Sequence, residues 1–394
     1  MRRPFAHSRI LWSLISLCCS VHPAALAGSV VRDCSADLKP SSSFPIVRAD
    51  SLSKFLRSNS PHFWAYMKDA DLSGISDYLG AEGIVAGDPH MGNFAPTPVV
   101  VGNKKEIAFL DVDFDDAGRG PLVLDLIRYQ LSIKAVFPDI KKKDLEQAYI
   151  MGLKGQSIAP PMQVQNFLNL SYEQYQSLAD EYTAEMTSNK GEPHFKLKPG
   201  ELEKYNASIK RETIKALFDS TIDTVVDYAI RPAEGQVGGS ARGLRIWLLV
   251  KTKSNDRLRI MELKEFQPTG MNNYKPQPEP MDWIEEVRAV FWPGFSGETY
   301  DLVDLKEDGL FWLRQKQVTL IDVPYSSSKQ GKLAYAEGLA IFDANQLGLA
   351  HGRQAAAKKL LAAIERDREV FHDAIEAVLA DYLSVALKLN GSIQ

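Results

Sequence analysis

Apolar positions recur along this chain with two different periods. From Ser51 to Met67, Leu52, Phe55, Leu56, Phe63 and Trp64 fall at helical spacing, which predicts one amphipathic helix. Residues 122–136 (LVLDLIRYQLSIKAV) predict a strongly apolar helix, and 142–154 another. From Leu333 onward alanine and leucine dominate at helical spacing. Between these lie short runs that read as strands. Ile84–Ala86 ends at Gly87, and Glu106–Asp113 carries Ile107, Phe109 and Asp111 at alternate positions. Residues 243–251 (GLRIWLLVK) and 257–264 (RLRIMELK) are β-rich, with Lys253-Ser254-Asn255-Asp256 as a hairpin turn between them. Phe311–Val318 is a further strand candidate. Residues 157–200, punctuated by Pro160-Pro161, Gly191-Glu192-Pro193 and Pro199-Gly200, read as helices joined by loops. The pattern predicts an α+β protein in which a mainly helical half surrounds a β-rich insert near residues 235–325.

The first residues follow a different logic. Arg2, Arg3 and Arg9 make a basic start, an apolar run from Ile10 to Val21 follows, and Ala25-Leu26-Ala27 supplies small residues. That order is the tripartite pattern of a secretory signal, and the run is shorter than the ~20 residues a membrane span needs. The expectation is a signal peptide over 1–27 and a product exported to the periplasm or secreted, with no stable membrane insertion. Cleavage would move the formal charge from −4 to −7, because three arginines and no acids leave. A mildly acidic chain does not suit non-specific nucleic-acid binding. Cleavage would also remove Cys18 and Cys19 and leave Cys34 alone, so no internal disulfide or cysteine metal site is expected.

Three groups of residues carry candidate chemistry. In Gly87-Asp88-Pro89-His90-Met91-Gly92-Asn93, a strand runs into a tight loop that presents an Asp and, five residues later, an Asn. Protein kinases use this Asp-x-x-x-x-Asn spacing to place a proton acceptor and a metal-holding amide on one short loop. His90 is read as a structural hydrogen-bonder within the loop. In Leu110-Asp111-Val112-Asp113-Phe114-Asp115-Asp116, four carboxylates crowd the end of an apolar strand. Crowded carboxylates raise one another's pKa unless a cation neutralises them, and magnesium accepts one or two of them plus phosphate oxygens. Val99–Lys105 would form the hairpin between the two groups. Third, Gly235–Gly243, with Gly238, Gly239 and Ser240 at its centre, precedes a strand, and the next strand ends at Lys264. Glycines let backbone amides approach phosphates, and a strand lysine can hold the α- and β-phosphates. Glu285 and Glu286 follow about one helix later as partners for that lysine.

Each group also has a plain reading. Asp and Asn favour turns, an acidic strand end is often solvated, the glycine run lacks G-x-G-x-x-G spacing, and Lys264 would serve as a surface lysine. Gly87-Asp88-Pro89-His90 also matches the opening of a metallophosphoesterase, but the further histidine motifs of such an enzyme are missing.

Taken together, Gly87–Asn93, Val112–Ala117 and Asp125-Leu126 resemble the aminoglycoside-phosphotransferase branch of the protein-kinase-like fold. With Lys264-Glu265, Arg314-Gln315 and Leu349-Ala350-His351-Gly352-Arg353, residues 50–355 resemble the bacterial family called domain of unknown function 2252. The glycine loop and lysine follow the catalytic loop here instead of preceding it. The resemblance therefore implies a circularly permuted, two-lobed kinase-like fold. A helical lobe would span 28–230, a smaller antiparallel β-rich nucleotide-binding lobe 231–330, and C-terminal helices 331–394. It implies transfer of a phosphoryl group from ATP, with magnesium or manganese, to a small-molecule or protein hydroxyl. Asp88 would take the hydroxyl proton, Asn93 and Asp113 would hold the metal (Asp111 and Asp115 are the alternatives), and Asp125 would brace the catalytic loop. Lys264 would hold the phosphates. A nucleotide- or metal-binding protein without transfer activity is the alternative, and export supports it because ATP is scarce outside the cytoplasm.

Overall fold

The computed structural model describes residues 46–188, 190–219, 223–232, 243–252, 256–294, 300–316 and 330–391. These all belong to one compact unit, Pro40–Gln394. The N-terminal signal-type segment lies outside the described residues, as do Gly238, Gly239, Ser240 and the turn residues 253–255.

The first half runs α1 (Leu52–Ser58), α2 (Ser60–Asp69), α3 (Ser76–Leu79), β1 (Glu82–Val85), β2 (Phe94–Val101), β3 (Lys104–Asp111), β4 (Gly118–Pro121), α4 (Leu122–Val136) and α5 (Lys142–Leu153). The single helix expected over 51–67 is broken at Asn59. The Asn59 side chain bonds Val47 N, Val47 O and Phe55 O, and Pro61 sits in the first turn of α2. A proline cannot donate the amide that a continuous helix needs there, so the chain ends one helix and starts another. Helix α4 occupies the residues that its apolar run predicts, and it is buried almost all round. Strands β2 and β3 form the expected hairpin, Phe94 facing Asp111, and β1 pairs with β4. β3 stops at Asp111, earlier than expected, because Asp111 Oδ1 accepts a hydrogen bond from Asp113 N and turns the chain.

The middle holds α6 (Met162–Leu168), α7 (Tyr172–Met186), β5 (Thr187–Ser188), β6 (His194–Phe195), β7 (Glu203–Lys204), α8 (Arg211–Asp219) and β8 (Asp223–Ile230). Then follow β9 (Arg245–Thr252), β10 (Leu258–Glu265), α9 (Pro280–Phe291), β11 (Tyr300–Asp304) and β12 (Leu310–Gln315). One antiparallel sheet has the order β11-β12-β10-β9-β8-β7. It begins before the expected insert, since β7 and β8 precede residue 231. Strands β8, β9 and β10 are a meander, and α9 intervenes before β11. Alternation along the strands gives the sheet two unlike faces. Ile246, Leu248, Met261, Leu263 and Phe311 pack with Ile214 and Phe218 of α8. The opposite face carries Arg245, Trp247, Glu262, Lys264, Trp312 and Arg314, aligned across strands by register.

The chain ends with α10 (Gln330–Gly352), α11 (Ala355–Arg366) and α12 (Arg368–Asn390). These join α1, α2, α4 and α5 in the largest apolar core. Helices α5 and α10 touch backbone to backbone: a Cβ added at Gly348 would lie 2.2 Å from Tyr149 O. No helix among the described residues is long and apolar enough to cross a membrane.

Candidate active site

The loop after β1 is held from below by α4. Asp125, wholly buried, accepts hydrogen bonds from Ala86 N at 2.6 Å and Gly87 N at 3.0 Å. Its Oδ2 also meets His351 Nε2 at 3.1 Å, and His351 Nδ1 meets Tyr149 Oη at 2.7 Å. The last turn of α10 is thereby tied to the loop through one carboxylate. Gly87 has φ +84°, and a Cβ there would collide with the Asp116 carbonyl, so only glycine fits this close approach. Trp64 Nε1 donates to Gly87 O from α2.

Asp88 emerges from this support beside Arg128, one helical turn after Asp125. Arg128 donates Nε at 2.9 Å and Nη2 at 2.6 Å to Asp88 Oδ1, and Nη2 also to Leu56 O at 2.6 Å. Both carboxylate contacts fall on Oδ1, so Oδ2 takes no part in the pair. Burial pushes the Asp88 carboxyl up, Arg128 opposes that, and the balance is about 7. Asn93 Nδ2 donates to Asp88 O at 3.1 Å, which ties the two ends of the loop together. His90 Nδ1 accepts from Gly92 N at 3.0 Å, as a loop-internal hydrogen-bonder would. Burial drives its pKa far below the usual histidine range, so the ring is neutral.

The acidic strand end meets the sheet. Lys264 Nζ lies 3.6 Å from Asp113 Oδ1 and forms a closer ion pair with Asp115 Oδ2. Arg314 Nη1 lies 3.5 Å from the same Asp113 oxygen, while its Nε donates to Glu262 at 2.8 Å. Arg245 Nη2 is 3.8 Å from Glu262, and Trp247 Nε1 donates to Glu262 at 3.1 Å. Burial pushes the Asp113 carboxyl up, but the Lys264 and Arg314 cations outweigh it and bring it to about 2. Burial lowers Lys264 to about 8 despite the Asp113 charge. Asp111 is different: it is buried behind the strand end, with burial holding its pKa well above the carboxylate range. Asp116 Oδ1 accepts from Gly270 N at 2.9 Å.

Asp88, Asn93, Asp113, Asp115, Asp125 and Lys264 therefore meet in one region. Glu285 and Glu286 do not join them. Glu285 pairs with Arg288 and Glu286 with Arg119, both on the exposed side of α9, because the carboxylates of Asp113 and Asp115 already occupy Lys264. Asp111, turned inward, is poorly placed to reach a metal.

Sequence reasoning missed Arg128, although a visible signal existed. Asp125 and Arg128 are the only charges from Leu122 to Ser132 and stand one turn apart, so they share a face. It also missed that Glu262, Arg245 and Arg314 would adjoin Lys264. Alternation places Glu262 and Lys264 on one face, but cross-strand register decides the rest.

Among the described residues no group of three or more His, Cys, Asp or Glu side chains could hold a metal ion. A closed, all-protein metal cage does not fit. Magnesium bound in part by phosphate oxygens needs fewer protein ligands. Asn93, Asp113 and Asp115 carry oxygens of the kind magnesium takes, and Asp115 Oδ1 is a buried acceptor with no hydrogen-bond partner. No family model matches the chain, and no curated protein or solved structure matches it.

Proposed function

We propose that this protein is a kinase-like phosphotransferase, circularly permuted, that moves a phosphoryl group from Mg-ATP to a hydroxyl acceptor. The observation that carries the reading is the meeting of Lys264 with Asp113 and Asp115. Lysine and carboxylates come from opposite halves of the chain. The lysine stands on the third strand of an antiparallel meander, and the carboxylates follow the hairpin after an Asp-x-x-x-x-Asn loop. Kinases place their phosphate-holding lysine and metal-holding aspartate in that relation, and chain order is irrelevant if the same groups converge.

The roles follow from position. Asp88 Oδ2 takes the acceptor's hydroxyl proton, and a pKa near 7 suits a base at neutral pH. The acceptor oxygen forms a bond to the γ-phosphorus as the bond from that phosphorus to the bridging oxygen breaks, and ADP leaves. Arg128 fixes the Asp88 carboxylate, and Asp125 fixes the loop that carries it. Lys264 holds the donor's phosphates. Magnesium or manganese, held by Asn93 and Asp113, would supply neutralising charge for those phosphates. The basic, apolar and small-residue order of residues 1–27 supports export to the periplasm or beyond.

One observation favours a second reading, a nucleotide binder without transfer activity: Lys264 is engaged by Asp113 and Asp115, and neither Glu285 nor Glu286 reaches it. One experiment addresses both. In a thermal-shift panel with Mg-ATP and Mn-ATP, nucleotide at 100 times its dissociation constant adds about 2.7 kcal/mol. Asp113→Ala is expected to abolish the shift, and Asp88→Asn to keep the shift while eliminating phosphotransfer. No shift with any nucleotide would defeat both readings; a shift with transfer unchanged in Asp88→Asn would defeat the catalytic one.

A further inference from the structure

Glu262 is wholly buried in the middle of the sheet, two residues before Lys264 on β10, with Leu249 and Ile260 on the same face. A carboxylate taken out of water is costly unless it is well paired, and an apolar side chain of similar size is often no worse in such a place. The stability of the sheet therefore does not call for Glu262. Its partners suggest what does. Register puts Trp247 and Arg314 directly opposite it on β9 and β12. Trp247 Nε1 donates to Oε1 at 3.1 Å and Arg314 Nε to Oε2 at 2.8 Å, while Arg245 Nη2 stands 3.8 Å from Oε2. Both oxygens are engaged, and the Arg314 guanidinium is gripped by its Nε.

Held in that way, Arg314 reaches Asp113 with its other end. Its Nη1 lies 3.5 Å from Asp113 Oδ1, and Lys264 Nζ lies 3.6 Å from the same oxygen. Charge-assisted hydrogen bonds are normally about 2.7–2.9 Å long, so the Arg314 contact is loose. Two cations from neighbouring strands thus converge on one carboxylate oxygen that they must share. Solvent reaches this group from the Asp113 side: the side chains of Asp113, Arg314 and Lys264 are 31%, 15% and 4% exposed. An anion entering there meets Arg314 before Lys264. A guanidinium fork matches phosphate oxygens, and a lysine beside it adds a point charge. Adjacent phosphates of a chain can each take one of the two cations.

We propose that Arg314 is a second phosphate-holding residue, positioned by Glu262, and that with Lys264 it clamps a ligand carrying linked phosphate groups. A nucleoside triphosphate and an inorganic polyphosphate share that chemistry. Use of the clamp for a phosphoryl donor rests on the phosphotransferase reading; the binding itself does not.

The test is a calorimetric titration of the full chain, without magnesium, with inorganic tripolyphosphate, ATP and inorganic phosphate in turn. Arg314→Gln is expected to weaken tripolyphosphate binding on the order of tenfold or more. Arg314→Lys is expected to lose less, and Lys316→Gln, which removes a charge two residues along, hardly anything. Glu262→Gln is expected to weaken binding in the wild type but to add nothing in an Arg314→Gln background; a residue that only supported the sheet would add its loss in both. Circular dichroism checks that each variant is folded, and Arg314→Lys, which keeps the charge but not the fork, decides should Arg314→Gln not fold. Tighter ATP assigns a nucleotide, and equal or tighter tripolyphosphate an inorganic polyphosphate. The clamp is overturned if the wild type binds neither, or binds them no better than phosphate. It is equally overturned by unchanged affinity in Arg314→Gln or by an equal loss in Lys316→Gln, which would mean diffuse attraction. A chain that binds through Arg314 but transfers phosphate from neither ligand keeps the clamp and loses the phosphotransferase reading. One that transfers phosphate and is indifferent to Arg314→Gln does the reverse.

Discussion

Arg128→Met isolates what the buried guanidinium does for Asp88. Arg128 is wholly buried, and breaking a buried ion pair from one side costs about 3–5 kcal/mol, because the remaining charge is stranded. Asp88 has an escape: it can keep its proton. Its pKa in the fold, about 7, is already above the ordinary 3.8. A raised carboxyl contributes stability that is fully present below about pH 4 and is lost as pH climbs through 7. Removing Arg128 raises that pKa further. At pH 5, Asp88 is protonated in the fold with or without Arg128, so the variant loses mainly the bond to Leu56 O and the packing on Phe63. At pH 9 the wild type holds an ionised, paired Asp88, and the variant must hold either a lone charge or a proton. At about 1.4 kcal/mol per pKa unit, the two units between pH 7 and pH 9 limit the extra cost to about 2.7 kcal/mol. Urea unfolding of both proteins at pH 5 and pH 9 measures it directly. The variant is expected to be destabilised more at pH 9, by roughly 1 kcal/mol up to that limit, with the acid limb of its activity profile moved upward. Equal destabilisation at both pH values would refute the coupling between Arg128 and the Asp88 proton.

Two further outcomes follow from the same site. For the wild type, kcat/KM is expected to rise through about pH 7 as Asp88 loses its proton and to fall through about pH 8 as Lys264 loses its own, a narrow bell; a profile flat from pH 6 to 9 would contradict it. Gly87→Ala is expected to destabilise the fold by more than about 1 kcal/mol, since φ is +84° and the new methyl group meets the Asp116 carbonyl; an unchanged melting temperature would show that the loop can relax.

How much of this was legible in the sequence depended on whether the cause was local. Helix α4 and the β9–β10 pair lie where their apolar runs put them, because a long or β-branched apolar run must be buried whatever the rest of the chain does. The break at Asn59 was less visible, since the side chain that ends α1 does so by bonding Val47, twelve residues back. Strand β8 went unrecognised for a similar reason: it is stabilised by register against β9, including a shift near Asp227, and not by a clean alternation of its own. The site divides along the same line. Asp88, Asn93, Asp113 and Lys264 were singled out by spacing and by strand ends, which are local features. Their partners were not. Lys264 was expected to pair with a glutamate of α9, but Asp115, nearer in space, neutralises it and releases Glu286 to Arg119 at the surface. Arg128 shows the converse. A lone Asp–Arg pair inside an apolar helix is costly unless each charge has a partner, so its presence at Asp125 and Arg128 already required two polar groups facing α4. The loop amides of Ala86 and Gly87 meet the first requirement and the Asp88 carboxylate the second. Two buried charges in one helix thus fix both the backbone and the reactive side chain of the loop above it.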